Sequence, residues 1–142
     1  MEKKLILWNM ILSNQLYENI SSQHSCNLCN MQKDISIYLE DIIFSINLIE
    51  QYSNELSYDE FEESYDAQDK ILRRLEIIAE AAKKLPEELR FKNSSVPWRS
   101  IIGLRNIIAH NYDDVNLKEI WQIITAHLPE TKKRIEKIRS SL

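Results

Sequence analysis

Glycine is almost missing from this chain, with one residue, Gly103, in 142. A glycine-rich phosphate loop is thereby excluded, because such a loop needs several residues whose backbone can approach phosphate closely. Proline occurs three times and interrupts few elements. Cysteine occurs twice, as a lone C-x-x-C of Cys26 and Cys29 beside His24. A structural zinc site wants four ligands, usually in two pairs, and the second pair is absent. The two thiols therefore read as ordinary cysteines, and nothing demands an oxidising compartment. No H-E-x-x-H or carboxylate–histidine cluster occurs, so neither metal nor cofactor is called for. Net positive charge is also missing. Eighteen Lys and Arg face 22 Asp and Glu, a net charge of −4, so any nucleic-acid site must be a local patch or one assembled between chains. No stretch approaches the roughly 20 apolar residues that span a bilayer. The start, Met1-Glu2-Lys3-Lys4 followed by Leu5 to Leu12, imitates a signal peptide but lacks a small-residue cleavage site. A cytoplasmic protein with no membrane partner is expected.

What is present is helix-forming sequence, rich in Ile, Leu, Glu and Lys. At this length it supports one domain with a real core. Residues 1–30 stand apart in composition. Leu5, Trp8, Ile11, Leu12 and Leu16 suit a short amphipathic helix, and Asn19 to Asn30 reads as a polar linker. The segment is read as an appended arm or as translation from an upstream start. A first long helix is expected over about Gln32–Tyr52, with Ile35, Tyr38, Leu39, Ile42, Ile46 and Ile49 as its stripe. Ser57-Tyr58-Asp59-Glu60 has the form of a capping box opening a short helix with Phe61 and Tyr65. A second long stripe, Ile71, Leu75, Ile78, Ala82 and Leu85, ends at Pro86, and a connector with a helical turn follows over Glu87–Ser95. After the central motif, Asn116 is placed as an N-cap with Glu119 three residues on. Leu117, Ile120, Trp121, Ile124 and Leu128 follow, and Pro129 is expected to bend the helix or start a new one carrying Ile135 and Ile138. His127 lies beside that stripe and reads as a surface or interface residue. The fold class is all-α, an antiparallel four-helix bundle with short extra helices and an N-terminal extension. Charge is uneven. Glu50–Lys70 holds eight acidic residues and one lysine, and Glu130–Leu142 holds five basic and two acidic. Both segments suit solvated helix faces and, together, docking of subunits or a partner.

The chain is organised around residues 98–114, WRSIIGLRNIIAHNYDD. With Pro97 suited to the first helical position, this reads as an amphipathic helix that stops just past a histidine. Trp98, Ile101, Ile102, Leu104, Ile107 and Ile108 make its apolar side, and Arg99, Arg105, Asn106 and His110 its polar side. Gly103 inside a helix is unfavourable by roughly 1 kcal/mol against alanine, which suggests room kept for another backbone. Arg105 and His110 lie about 140° apart and about 7.5 Å along an ideal helix. Either the helix loosens before His110 or another group completes the polar edge. The helix dipole and the Asp113-Asp114 pair both favour a protonated imidazole at this end. An arginine, a histidine and a phenol, Tyr112, gathered there suit phosphate chemistry. Solvated Arg105 and His110 with a packing tyrosine is the competing account.

The run Arg105-Asn-Ile-Ile-Ala-His110-Asn-Tyr112 resembles the R-x4-H-x-Y signature of HepT-like toxins in the HEPN superfamily. Its flanks Pro97-Trp98-Arg99 and Ile102-Gly103-Leu104, and the upstream block Leu75–Lys83, resemble the same family, so that the likeness covers about Met31–Ile138. The resemblance implies a HEPN-like domain over 31–142. It implies a metal-independent ribonuclease acting on tRNA or mRNA, not DNA, and a toxin held in check by a partner. Arg105 and His110 would be catalytic, Asn106 a positioning group and Ser100 a weaker candidate. It further implies an MntA-type nucleotidyltransferase antitoxin that AMPylates Tyr112. Chemistry adds one expectation of its own. Cleavage without metal needs one proton taken from the 2′-hydroxyl and one given to the leaving 5′-oxygen. One chain has a single motif histidine, so a twofold homodimer with a shared cleft, closing near Gly103, is expected. The alternative is a non-catalytic helical binding subunit that presents Tyr112 to a nucleotidyltransferase.

Overall fold

Four apolar stripes at helical spacing need one another's cover, and the chain supplies it as an all-α bundle with no strand among the described residues. The computed structural model describes residues 31–110 and 116–142, with backbone alone for Ala109 and His110. The arm 1–30, with His24, Cys26 and Cys29, lies outside them, as do Tyr112, Asp113 and Asp114. The chain divides into two units, Met1–Asp34 and Ile35–Leu142, and the core belongs to the second.

Helix α1 covers residues 31–53 and buries Ile35, Leu39, Ile42, Ile43, Ile46 and Ile49. α2 (Tyr58–Glu63) opens on the expected capping box. The Ser57 backbone N–H donates to Glu60 Oε2 at 2.7 Å, and the Glu60 N–H donates to Ser57 Oγ at 3.3 Å. α3 (Tyr65–Lys84) begins one residue later, so Tyr65 starts the second long helix instead of ending the short one. Buried Gln68 makes this tight corner possible. Its Nε2 donates to the Phe61 and Glu62 carbonyls at 3.0 and 2.9 Å, adding to the Ser64 N–H bond that Phe61 already accepts and pairing the Glu62 carbonyl at the end of α2. α3 buries Ile71, Leu75, Ile78 and Ala82 as its spacing requires, and Leu85 caps it ahead of Pro86.

The connector is more ordered than its sequence suggests, because Glu87–Lys92 forms a full short helix, α4, with no fully buried residue. α5 (Trp98–His110) is the motif helix and packs on α3. α6 (Leu117–Gln122) is capped by Asn116, whose Oδ1 accepts the Glu119 N–H at 3.2 Å. Pro129 stands on the first turn of a new α-helix, as one of the two expectations had it, but without a break in helical winding before it. The chain stays helical through a π segment, Ile123–His127, into α7 (Leu128–Ser140). Regular winding would drive the Pro129 ring into the carbonyl four residues back and leave a bond unmade. The wider turn avoids this, with the Leu128 N–H reaching the Ile123 carbonyl. Thr125 Oγ1 also donates to the Trp121 carbonyl at 2.7 Å, on the flank of the same turn. Trp121 packs against Phe61 at 5.2 Å between ring centroids and meets Tyr58 edge-on at 6.2 Å, which ties α6 to α2. Lys132 pairs with Glu50 at 2.7 Å and joins α7 to α1.

Candidate functional site

The position of α5 is fixed at its start. The Pro97 carbonyl accepts the Ile101 N–H at 3.1 Å, so proline stands just before the helix instead of on its first turn. Trp98 is buried and its indole N–H donates to the Asn93 carbonyl at 3.0 Å, which pins the helix to the end of α4. Trp98, Ile101, Leu104 and Ile108 then face the core at steps of three and four residues. Two isoleucines read as core depart from that line. Ile102 is half-buried and Ile107 is 37% exposed. The reason is angular, since an apolar arc that includes both would wrap most of the helix, and α3 covers only part of it.

The outward face carries the polar residues of the motif. Ser100, Arg105 and Asn106 are exposed. Arg105 is not free, because its Nη2 lies 3.8 Å from Glu80 Oε1 on α3, with the two side chains about half exposed. Glu80 was present in the upstream block, but nothing in its spacing announced this contact. Only the packing of α3 on α5 brings residues 25 positions apart together. The expected alternatives for the Arg105–His110 edge are also narrowed. α5 keeps α-helical winding to His110, so the helix does not loosen to align the pair. The His110 side chain and Tyr112 lie outside the described residues.

Between α3 and α5 lies a groove of about 400 Å³, lined by Ala79, Lys83, Arg99, Ile102, Gly103, Arg105 and Asn106. Lys83 and Arg99 are exposed, so the groove carries three cations in a protein of net charge −4. Sequence reading placed Arg99 on the polar side but missed Lys83, whose link to the motif is tertiary. Gly103 lines the groove, and a Cβ built on it would meet nothing within 4 Å. The glycine therefore serves no close approach among the described residues. A second recess of about 590 Å³ adjoins the first, shares Arg99 and Ile102 with it, and includes Arg90, Phe91, Pro97 and Trp98. Chemically, the face offers anion-binding side chains around a helix that ends in an imidazole-bearing residue. That suits a phosphodiester more than a metal or an organic cofactor.

Known proteins resemble this chain. A protein of Methanocaldococcus jannaschii named as a gamma-glutamylcyclotransferase and, provisionally, an RNase is 40% identical over 112 residues, which are 79% of this chain and 50% of that one. The chain thus spans about half the length of that relative. A second M. jannaschii protein, provisionally named an RNase, is 36% identical over 107 residues, covering 75% and 88% of the two chains. A Thermococcus cleftensis protein provisionally named ribonuclease HepT is 32% identical over 109 residues, or 77% and 99% of the two. No solved structure matches. The family model described as Ribonuclease HepT-like matches residues 42–138. With its all-helical bundle, the family match over 42–138 and these relatives, the chain belongs to the HepT-like ribonuclease family.

Proposed function

We propose that the chain is the ribonuclease toxin of a toxin–antitoxin pair and cleaves RNA, tRNA or mRNA, without metal at a cleft between two copies of itself. The observation that carries this is the outward face of α5. It presents exposed Arg105 and Asn106 and ends at His110, while Gly103 opens onto free space and Ile107, one turn further on, is exposed. A second α5 lying across Gly103 and Ile107 would bury that apolar patch. It would also bring a second histidine to the same phosphate. One His110 then removes the 2′-hydroxyl proton as the 2′-oxygen bonds to phosphorus. The partner histidine, protonated, gives its proton to the 5′-oxygen as the P–O5′ bond breaks. Arg105 stabilises charge on the phosphorane oxygens, and Asn106 orients the phosphate. Residues 31–142 act as the HEPN-like domain in this scheme, with 1–30 as an appendage.

The non-catalytic reading, a binding subunit that offers Tyr112 to a nucleotidyltransferase, has one observation in its favour, the existing Arg105–Glu80 pair. A half-exposed ion pair of this kind is worth about 0–1 kcal/mol. A charge-assisted arginine–phosphate contact is stronger, so RNA can displace the glutamate. The pair does not protect Arg105 from substrate.

The test is incubation of the full chain with total RNA in chelator, beside His110→Ala. Cleavage by the unsubstituted chain that His110→Ala abolishes while remaining folded supports the enzyme. An unsubstituted chain that leaves every RNA intact supports the binding subunit. Sedimentation at micromolar concentration should show a dimer, and a monomer that still cuts RNA would rule out the shared cleft.

A further inference from the structure

We infer that the recess between α4 and the start of α5 is a nucleoside subsite for single-stranded RNA, in which Phe91 stacks on a base and Arg99 holds the adjoining phosphate. The inference rests on the ribonuclease reading and extends it from one phosphate to the strand on either side.

Phe91 is the first reason. It is 86% exposed, on a six-residue helix that buries nothing completely. A phenylalanine there adds nothing to the core, and water around the ring is unfavourable. Other aromatics are also exposed, Phe44 at 58% and Tyr65 at 81%. All three have acidic residues close in sequence, Phe91 itself following Glu87 and Glu88 by one helical turn. What sets Phe91 apart is its recess, which it lines with Arg90 and Arg99 as well as Glu87.

Continuity is the second reason. Arg99 lines both this recess and the Arg105 groove, so a strand whose phosphate sits at Arg105 passes Arg99 before its next base reaches Phe91. Across the two, Lys83, Arg90, Arg99 and Arg105 face Glu80 and Glu87, a local excess of cations within a chain of net charge −4. Arg90 is weakly held. Its Nη2 lies 3.9 Å from an almost fully exposed Glu87, and its buried Nε has no acceptor. Its side chain is 21% exposed, so only the guanidinium edge lies open to the recess. A volume of about 590 Å³ with a mainly apolar lining accommodates one nucleoside. Bases stack on an aromatic ring whatever their identity, so the subsite adds affinity more than sequence choice.

The experiment measures binding of a short, fully 2′-O-methylated RNA, which cannot be cleaved, to the full chain by fluorescence anisotropy over a range of salt. Phe91→Ala should weaken binding by about 5- to 160-fold, the range typical of a lost base–aromatic stack. Phe91→Trp should restore it. The slope of log K against log salt should be unchanged in both. Arg99→Ala should lower that slope by about 0.7, one phosphate contact on a single strand. Because both residues are exposed, melting curves should match the unsubstituted protein. Unaltered RNA affinity in Phe91→Ala and Arg99→Ala overturns the subsite even where the unsubstituted chain cleaves RNA. The predicted losses in a chain that cleaves nothing would uphold the subsite and sink the nuclease. A Phe91→Ala protein that loses self-association but keeps its RNA affinity marks the recess as a protein interface, and also overturns it.

Discussion

Arg105 and Glu80 show how much one side chain's role depends on its neighbour. Their 3.8 Å contact holds the guanidinium against α3 in the free chain, where phosphate must compete for it. Glu80→Gln removes the competitor and one negative charge beside the groove. RNA affinity should rise by a few-fold, corresponding to the roughly 0–1 kcal/mol of an exposed pair, with most of the gain at low salt. An affinity that falls would mean that Glu80 orients Arg105 instead of screening it. Glu60 supports a separate prediction. Its carboxyl is held below its ordinary value of 4.5 by the Ser57 backbone N–H first and the Ser57 side chain second. A depressed acid stabilises the fold above its unfolded value, and that contribution disappears as pH falls through the folded value. Glu60→Gln should therefore melt earlier than the unsubstituted protein near pH 7, and the two curves should approach each other as pH falls below the lowered folded value. Parallel curves at all pH values would show that the capping box does not depend on the charge.

Among the elements, α5 bears a conflict between local preference and assembly. Gly103 lowers helix stability by roughly 1 kcal/mol against alanine, and nothing among the described residues needs the space. Gly103→Ala should thus raise the unfolding free energy of the monomer by about 1 kcal/mol, read by denaturant titration at low protein concentration. Gly103→Leu should leave a folded bundle and weaken self-association at least tenfold in sedimentation. A dimer indifferent to leucine would remove Gly103 from the interface. The π segment at Ile123–His127 is a different case of local chemistry overruling a simple expectation. Proline forbids regular winding at Pro129, yet Leu128, Thr131, Ile135 and Ile138 on one side and Ile120 and Ile124 on the other are all buried. Widening one turn keeps both runs on the core, whereas a break would expose one of them.

For the whole molecule, a nuclease that cleaves cellular RNA needs its site controlled. AMPylation of Tyr112 by a nucleotidyltransferase antitoxin would place a phosphate two residues from His110 and seven from Arg105 in sequence. At an effective dielectric of about 20, one charge about 4 Å from an arginine interacts by roughly 4 kcal/mol before solvent screening. A nucleotide charge at that distance would repel an incoming RNA strand. Mass spectrometry after exposure to such an enzyme and ATP should find added AMP on the peptide carrying Tyr112, and Tyr112→Phe should abolish it. Neutralisation that survives the substitution would put the switch elsewhere. No helix among the described residues is long and apolar enough to cross a membrane.

The sequence by itself determined the bundle. Repeats of Ile and Leu at three and four residues put Leu39, Ile46, Ile71, Leu75, Ile78, Ile124 and Ile135 inside, and each is buried. Ser57 and Asn116 marked helix starts, because capping is a contact between residues three apart and is complete within the local chain. The R-x4-H-x-Y run likewise marked the motif helix and its family without any coordinates. The tertiary structure decided what local periodicity cannot contain. Glu80 meets Arg105, Lys83 joins the groove, and Gln68 closes the α2–α3 corner only because separate segments are folded against one another. Ile107 is exposed for the same reason, since a stripe states which residues are apolar, and only the number of neighbouring helices states how wide an arc is covered.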